Sequence, residues 1–155
     1  MANPNSVGEF YLDSFGNGRV GIIAGTQVNT TGNAVITIPL LSGGLTNGGA
    51  VANSGGIILR RITACNPSGD ISSANIAISI QSTGNVGTGN VVVANVVLTN
   101  LTGVGKWQDL TIAGALGANT VVSGANTSVL YVNVNTASGN SNTVDIRVYG
   151  DVMSF

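Results

Sequence analysis

The stretch GKWQDLTI, Gly105 to Ile112, holds the chain's single lysine, Lys106, its single tryptophan, Trp107, and a carboxylate, Asp109. A cation, a large aromatic surface and an acid this close together are the raw material of ligand binding or acid/base chemistry, and they stand out in a chain with 7% charged residues. Catalysis needs more than proximity. With no histidine, neither a Ser/His/Asp nor a Cys/His arrangement can be assembled. Cys65 stands alone, so an intrachain disulfide is excluded and a thiolate zinc site lacks its other sulfur ligands. Glycosidase chemistry needs two carboxyl groups with opposed pKa shifts. The close sequence pairs are Glu9 with Asp13 and Asp145 with Asp151, and neither sits among the aromatics that line sugar clefts. The glycine-rich STGNVGTGN has no following Lys-Ser/Thr and no helix to present its N-terminus to phosphate, so it reads as a hairpin loop. Arg60 and Arg61 read as an ion-paired strand face, within or between subunits, rather than as a phosphate clamp. These residues point away from an enzyme and call for no cofactor and no metal.

The elements that hold these residues follow from composition and periodicity. A chain of 155 residues suits one domain, and 23 glycines among abundant Asn, Ser, Thr and Val indicate many short strands joined by turns. A net charge of −1 supplies no field for nucleic-acid phosphates or anionic lipid, so neither nucleic acid nor membrane is an expected partner. The opening MANPNSVGEFYLDSFG lacks a basic segment followed by an apolar run, which sets the expectation of folding where the chain is made.

Period two runs almost throughout. In TVDIRVYG, Val144, Ile146 and Val148 alternate with Asp145, Arg147 and Tyr149. SANIAISI places Ile76, Ile78 and Ile80 on one side, and NAVITIPL does the same with Ala34, Ile36, Ile38 and Leu40. GIILRRITA, NVVVANVVL and SVLYVNV are apolar on both faces, as in strands covered twice, by a second sheet, a loop or another subunit. With RVGII and QDLTI the count reaches about eight strands, separated by Gly/Asn/Ser-rich turns. The predicted fold is all-β, a single-domain antiparallel β-sandwich of jelly-roll type spanning 18–155, preceded by an arm or extension over 1–17. In that arm Phe10, Tyr11 and Phe15 have to place their apolar area on a neighbour or on the chain's own sheet. Within GKWQDLTI, Gln108, Leu110 and Ile112 share one face while Trp107, Asp109 and Thr111 take the other, with Lys106 in the preceding turn. Trp107 is expected to cover the end of the core or an intersubunit seam, and its loss to cost roughly 3–5 kcal/mol.

GVGKWQDLTIAGA, followed by SVLYVNVNTASGNSNTVDIRVYGDV, resembles the second half of small capsid decoration (cement) proteins of tailed bacteriophages, with the likeness running from about IILRRITACNPSG onward. The resemblance implies a β-sandwich made in the host cytoplasm and added to the outside of an icosahedral capsid, commonly as a trimer, with the major capsid protein as partner. It supplies no catalytic residues. Low charge agrees with it, since a monomer with 43% hydrophobic residues would expose apolar strand surface that symmetric assembly buries. Three other readings share parts of this profile. A tail or head fibre subunit would stack end to end, a surface-layer or matrix protein would need export, and a carbohydrate-binding module would need several exposed aromatics.

Overall fold

The computed structural model describes residues 16–40, 55–80, 82, 91–112, 121–123 and 129–154. Among these there is no helix, and nine strands form two antiparallel sheets: β1 (Gly18–Gln27), β2 (Gly32–Pro39), β3 (Gly55–Cys65), β4 (Asn75–Ser79), β5 (Val91–Val97), β6 (Trp107–Leu110), β7 (Val121–Ser123), β8 (Val129–Thr136) and β9 (Thr143–Ser154). The first sheet runs β1-β9-β3-β6, with β7 pairing β3 beyond β6, and the second runs β2-β8-β4-β5. The expected all-β sandwich is therefore present. Its strands pair as a nest, β1 with β9, β2 with β8, β3 with β6 and β4 with β5, an order compatible with a jelly roll. Residues 1–15 of the expected arm lie outside the described residues. 

Alternation decides what each strand buries. Val144, Ile146 and Val148 of β9 are fully buried, as are Ile76 and Ile78 of β4 and Leu130 and Val132 of β8, and these join one core between the sheets. Ile36, Ile38 and Leu40 lie on the inner side of β2 as their spacing predicts, while the side chain of Ala34 lies outside the described residues. The doubly apolar β5 buries Val91, Val92 and Val93 within the protomer, but its far end leaves Val97 exposed. Irregular pairing with β4 accompanies this change of pattern.

In β3 the alternation breaks. Leu59 and Ile62 are both buried although their positions differ by three, so a regular strand would send one of them to solvent. The strand resolves this with a bulge: Leu59 pairs Gly150 and Arg61 pairs Tyr149, leaving Arg60 as the extra residue. Leu59 and Ile62 then both face the core, and two successive arginines face outward. On the other side of β9, β1 bulges at Val20, between the Arg19–Tyr149 and Gly21–Val148 pairs. Gly21 lies where β1 meets the end of β2, bridging Leu40, and a Cβ there would come within 2.9 Å of the Pro39 carbonyl oxygen. The close approach that joins the two sheets at this corner needs glycine.

One end of the sandwich is tied together by its loops. Ile71 N–H donates to Leu101 O, Leu98 N–H to Ala74 O, and Ser138 N–H to Val28 O, over the buried side chains of Val28, Ile71, Leu98 and Leu101. Asp70 adds an Asx turn by accepting from Ser72 N–H, which lowers its carboxyl pKa. This end carries β6 and the turn before it. Ile62→Ala should lower unfolding free energy by about 2–5 kcal/mol, whereas Arg60→Ala should cost less than about 1 kcal/mol. Deleting Arg60, which removes the bulge, should cost at least as much as Ile62→Ala in chemical denaturation.

Candidate functional site

The strands β2, β4, β5 and β8 contain no charged residue. The outward side of the other sheet carries all four arginines, because the two bulges and the period of two bring Arg19, Arg60, Arg61 and Arg147 to one face. Asp109, Asp145 and Asp151 share that face, and Lys106 stands in the turn at its margin. Across the sheet the pairings place Arg19, Tyr149 and Arg61 in one row, Arg147, Thr63 and Asp109 in the next, and Asp145, Cys65 and Trp107 in a third.

Ion pairs fix the arginines. Arg61 holds Asp109 through two parallel bonds, Nε to Oδ1 at 2.7 Å and Nη2 to Oδ2 at 2.9 Å, and Thr63 Oγ1 donates to the same carboxylate at 2.8 Å. This forked geometry is the strong form of the interaction. Arg60 reaches Asp151 at 2.7 Å, in a more exposed setting worth less to stability. Asp145 accepts from Gly25 N–H and from Asn66 Nδ2, both at 2.9 Å, so its contact with Arg147 Nη2, at 3.4 Å, is the loosest of the set. Arg60 and Arg61 are thus ion-paired within the protomer.

Trp107 lies against Arg61, whose guanidinium carbon is 5.7 Å from the ring centroid, within cation–π range. The ring is 57% exposed, which overturns the expectation that it covers the end of the core. The residue that does so is its neighbour Gln108, 9% exposed, whose Nε2 donates to Val97 O at 2.9 Å while its Oε1 accepts from Asn100 N–H at 3.0 Å. Gln108 clamps the 97–100 loop to β6. In the isolated protomer, Trp107→Ala should therefore cost much less than the roughly 3–5 kcal/mol expected for a buried aromatic.

A groove of about 290 Å³ opens beside the ring, lined by Arg61, Arg147, Lys106, Tyr149, Thr63, Cys65 and Asn66 among others. Another, of about 500 Å³, also borders Trp107 and Lys106 and is lined by Thr99, Asn100 and Thr102. Burial pushes the Cys65 thiol above its ordinary value, Arg147 pulls it down and Asp145 pushes it up, so the sulfur is held protonated rather than activated. Among the described residues no three His, Cys, Asp or Glu side chains come together as a metal site. The arrangement can bind through charge, hydrogen bonds and ring stacking.

Sequence reasoning placed Trp107 and Asp109 on one face of β6 and Asp145, Arg147 and Tyr149 on one face of β9. It did not bring the two sets together, which required the strand order β9-β3-β6. Phe10, Tyr11 and Phe15 lie outside the described residues. Comparison with protein-family models, with curated proteins and with solved structures finds no match.

The Cys65 thiol gives a stability signature with a definite sign. The folded chain holds this proton more tightly than the unfolded chain, so the contribution is fully present below the ordinary value of 9.0 and is lost as pH rises through the folded value. Denaturation midpoints followed from pH 7 to 11 should fall above about 9 by more in the native chain than in Cys65→Ala.

Proposed function

We propose that this chain is a structural protein of a virion, a decoration subunit that assembles as a homotrimer and binds the major capsid protein on the outside of an icosahedral phage head. It acts mechanically. Binding across the seams between capsid subunits favours the assembled shell over its dissociated parts by mass action, and no bond is made or broken.

The observation that carries this reading is the division of the sandwich into a charged and an uncharged sheet. Arg, Trp and Tyr are the residue types enriched at protein interfaces, and here they share one outward face. Their pairing with Asp109, Asp145 and Asp151 holds the guanidinium groups in place before any partner arrives, which reduces the ordering cost of association. The opposite sheet offers less. Its outward Ala77, Ser79 and Asn133 are already buried within the protomer, with Asn133 Nδ2 donating to Ser79 Oγ at 3.1 Å. Five cations and four carboxylates fall among the described residues, a near balance that suits a mixed-charge protein surface better than a polyphosphate or an anionic membrane. The resemblance of the β6 and β8–β9 segments to phage cement proteins supports the same reading.

A second reading rests on one observation, the exposed Trp107 ring that borders two polar grooves, which is the kind of platform a sugar ring stacks on. It is the weaker reading because Trp107 is the one highly exposed aromatic among the described residues, and Tyr149 is buried.

Light scattering on the purified protein at micromolar concentration should give the mass of a trimer. Co-sedimentation with heads built from the major capsid protein of the same virus should saturate at a fixed ratio and weaken as salt is raised, since charged groups form the contact. A monomer that fails to sediment with the heads would contradict the proposal. Saturable binding to an oligosaccharide panel in its place would favour the second reading.

A further inference from the structure

We infer that the groove beside Trp107 receives a carboxylate carried next to aromatic side chains, and that its occupant is the Glu9–Phe15 segment of a second copy of this chain. The inference rests on the oligomeric part of the function proposed above and names the contact that joins the copies.

The groove's charges are unevenly answered. Arg61 is engaged by Asp109 in a forked pair, and Arg147 only by the 3.4 Å contact with Asp145. Lys106 makes no ion pair among the described residues, and Arg147 Nε is buried with no hydrogen-bond partner there. Three cations and two carboxylates leave one positive charge in surplus, beside an open N–H donor and an exposed indole face. One surplus charge suits a single carboxylate better than a doubly charged phosphate. The indole calls for an apolar or aromatic group next to it.

Backbone geometry adds the second requirement. Among the described residues β6 ends the strand order of its sheet, so one side of Trp107–Leu110 pairs β3 and the other is an edge on which an extended segment can add hydrogen bonds. Two grooves that share Gly105, Lys106 and Trp107 in their lining give such a segment room beside the ring. The occupant is therefore an extended stretch that carries a carboxylate beside aromatic side chains.

The sequence contains one stretch of that description, GEFYLDSF, Gly8 to Phe15. Glu9 and Asp13 are the two side-chain carboxylates of the chain outside the described residues; they flank Phe10 and Tyr11, and Phe15 follows two residues after Asp13. The described residues carry a net charge of one positive unit, and this segment carries two negative ones. Charge complementarity selects the segment, and exchange between copies makes it a link in the oligomer.

Trp107 is the single tryptophan, so its fluorescence reads the groove directly in the full-length protein. As concentration rises through the range in which light scattering shows assembly, its emission should shift to the blue and iodide quenching should fall. The full-length double variant Glu9→Gln, Asp13→Asn should need roughly tenfold higher concentration for the same shielding, as should Lys106→Glu. Combining Lys106→Glu with Glu9→Lys should recover most of the loss, a result that misfolding cannot produce. Shielding that is independent of concentration would place the occupant on its own protomer and overturn the inference. A trimer in which Trp107 stays open to iodide would also overturn it while leaving the oligomeric reading intact, and a monomer at every concentration would remove both.

Discussion

Leu59 and Ile62 both have to reach the core, and a strand of strict period two cannot deliver both. The extra residue that settles this conflict, Arg60 at the β3 bulge, also determines the outer surface, because it leaves Arg60 and Arg61 side by side facing out. The bulge sets Arg61 opposite Tyr149, in reach of Asp109 on β6 and over the ring of Trp107. A requirement of core packing thus generates the arrangement of the charged face. Shifting the register by one residue would cost buried apolar area and dismantle the arginine pairs together.

That coupling explains how a chain with so few charges concentrates them. Four strands of the second sheet carry none, and their outward polar groups are amides and hydroxyls bonded to one another, such as Asn133 with Ser79 and Asn135 with Asn95. The first sheet gathers the arginines and carboxylates at spacings where Arg60, Arg61 and Arg147 each meet a carboxylate. Exposed ion pairs of this kind add little to folding stability. Their larger consequence is orientation, since a guanidinium held by a fork or stacked on an indole presents its remaining donors in a fixed direction.

Much of this was legible in the sequence where period two is unbroken. TVDIRVYG gave the inner and outer faces of β9, and the parity of GKWQDLTI put Trp107 and Asp109 on the side opposite Leu110. The role of Trp107 was harder to read, because parity fixes the face but not whether anything covers it, and the polar Gln108 rather than the large aromatic proved to seal the core. The pairing of Arg61 with Asp109 depends on β3 and β6 being neighbours, a long-range fact that no local pattern encodes. The bulge itself was implicit in IILRRIT, where two successive charges interrupt an apolar strand, but it takes Gly150 and Tyr149 of the partner strand to locate it.

Hydroxyl-radical footprinting of the free and assembled protein, read side chain by side chain, distinguishes the charged sheet from the uncharged one as the side through which this protein meets its partners. If the charged sheet is that side, Trp107 and neighbouring outward residues of β3, β6 and β9 lose reactivity on assembly, while Tyr131, on the outer side of β8, keeps it. Protection at Tyr131 and on the β2-β8-β4-β5 face, with Trp107 unchanged, would show instead that the uncharged sheet meets the partner.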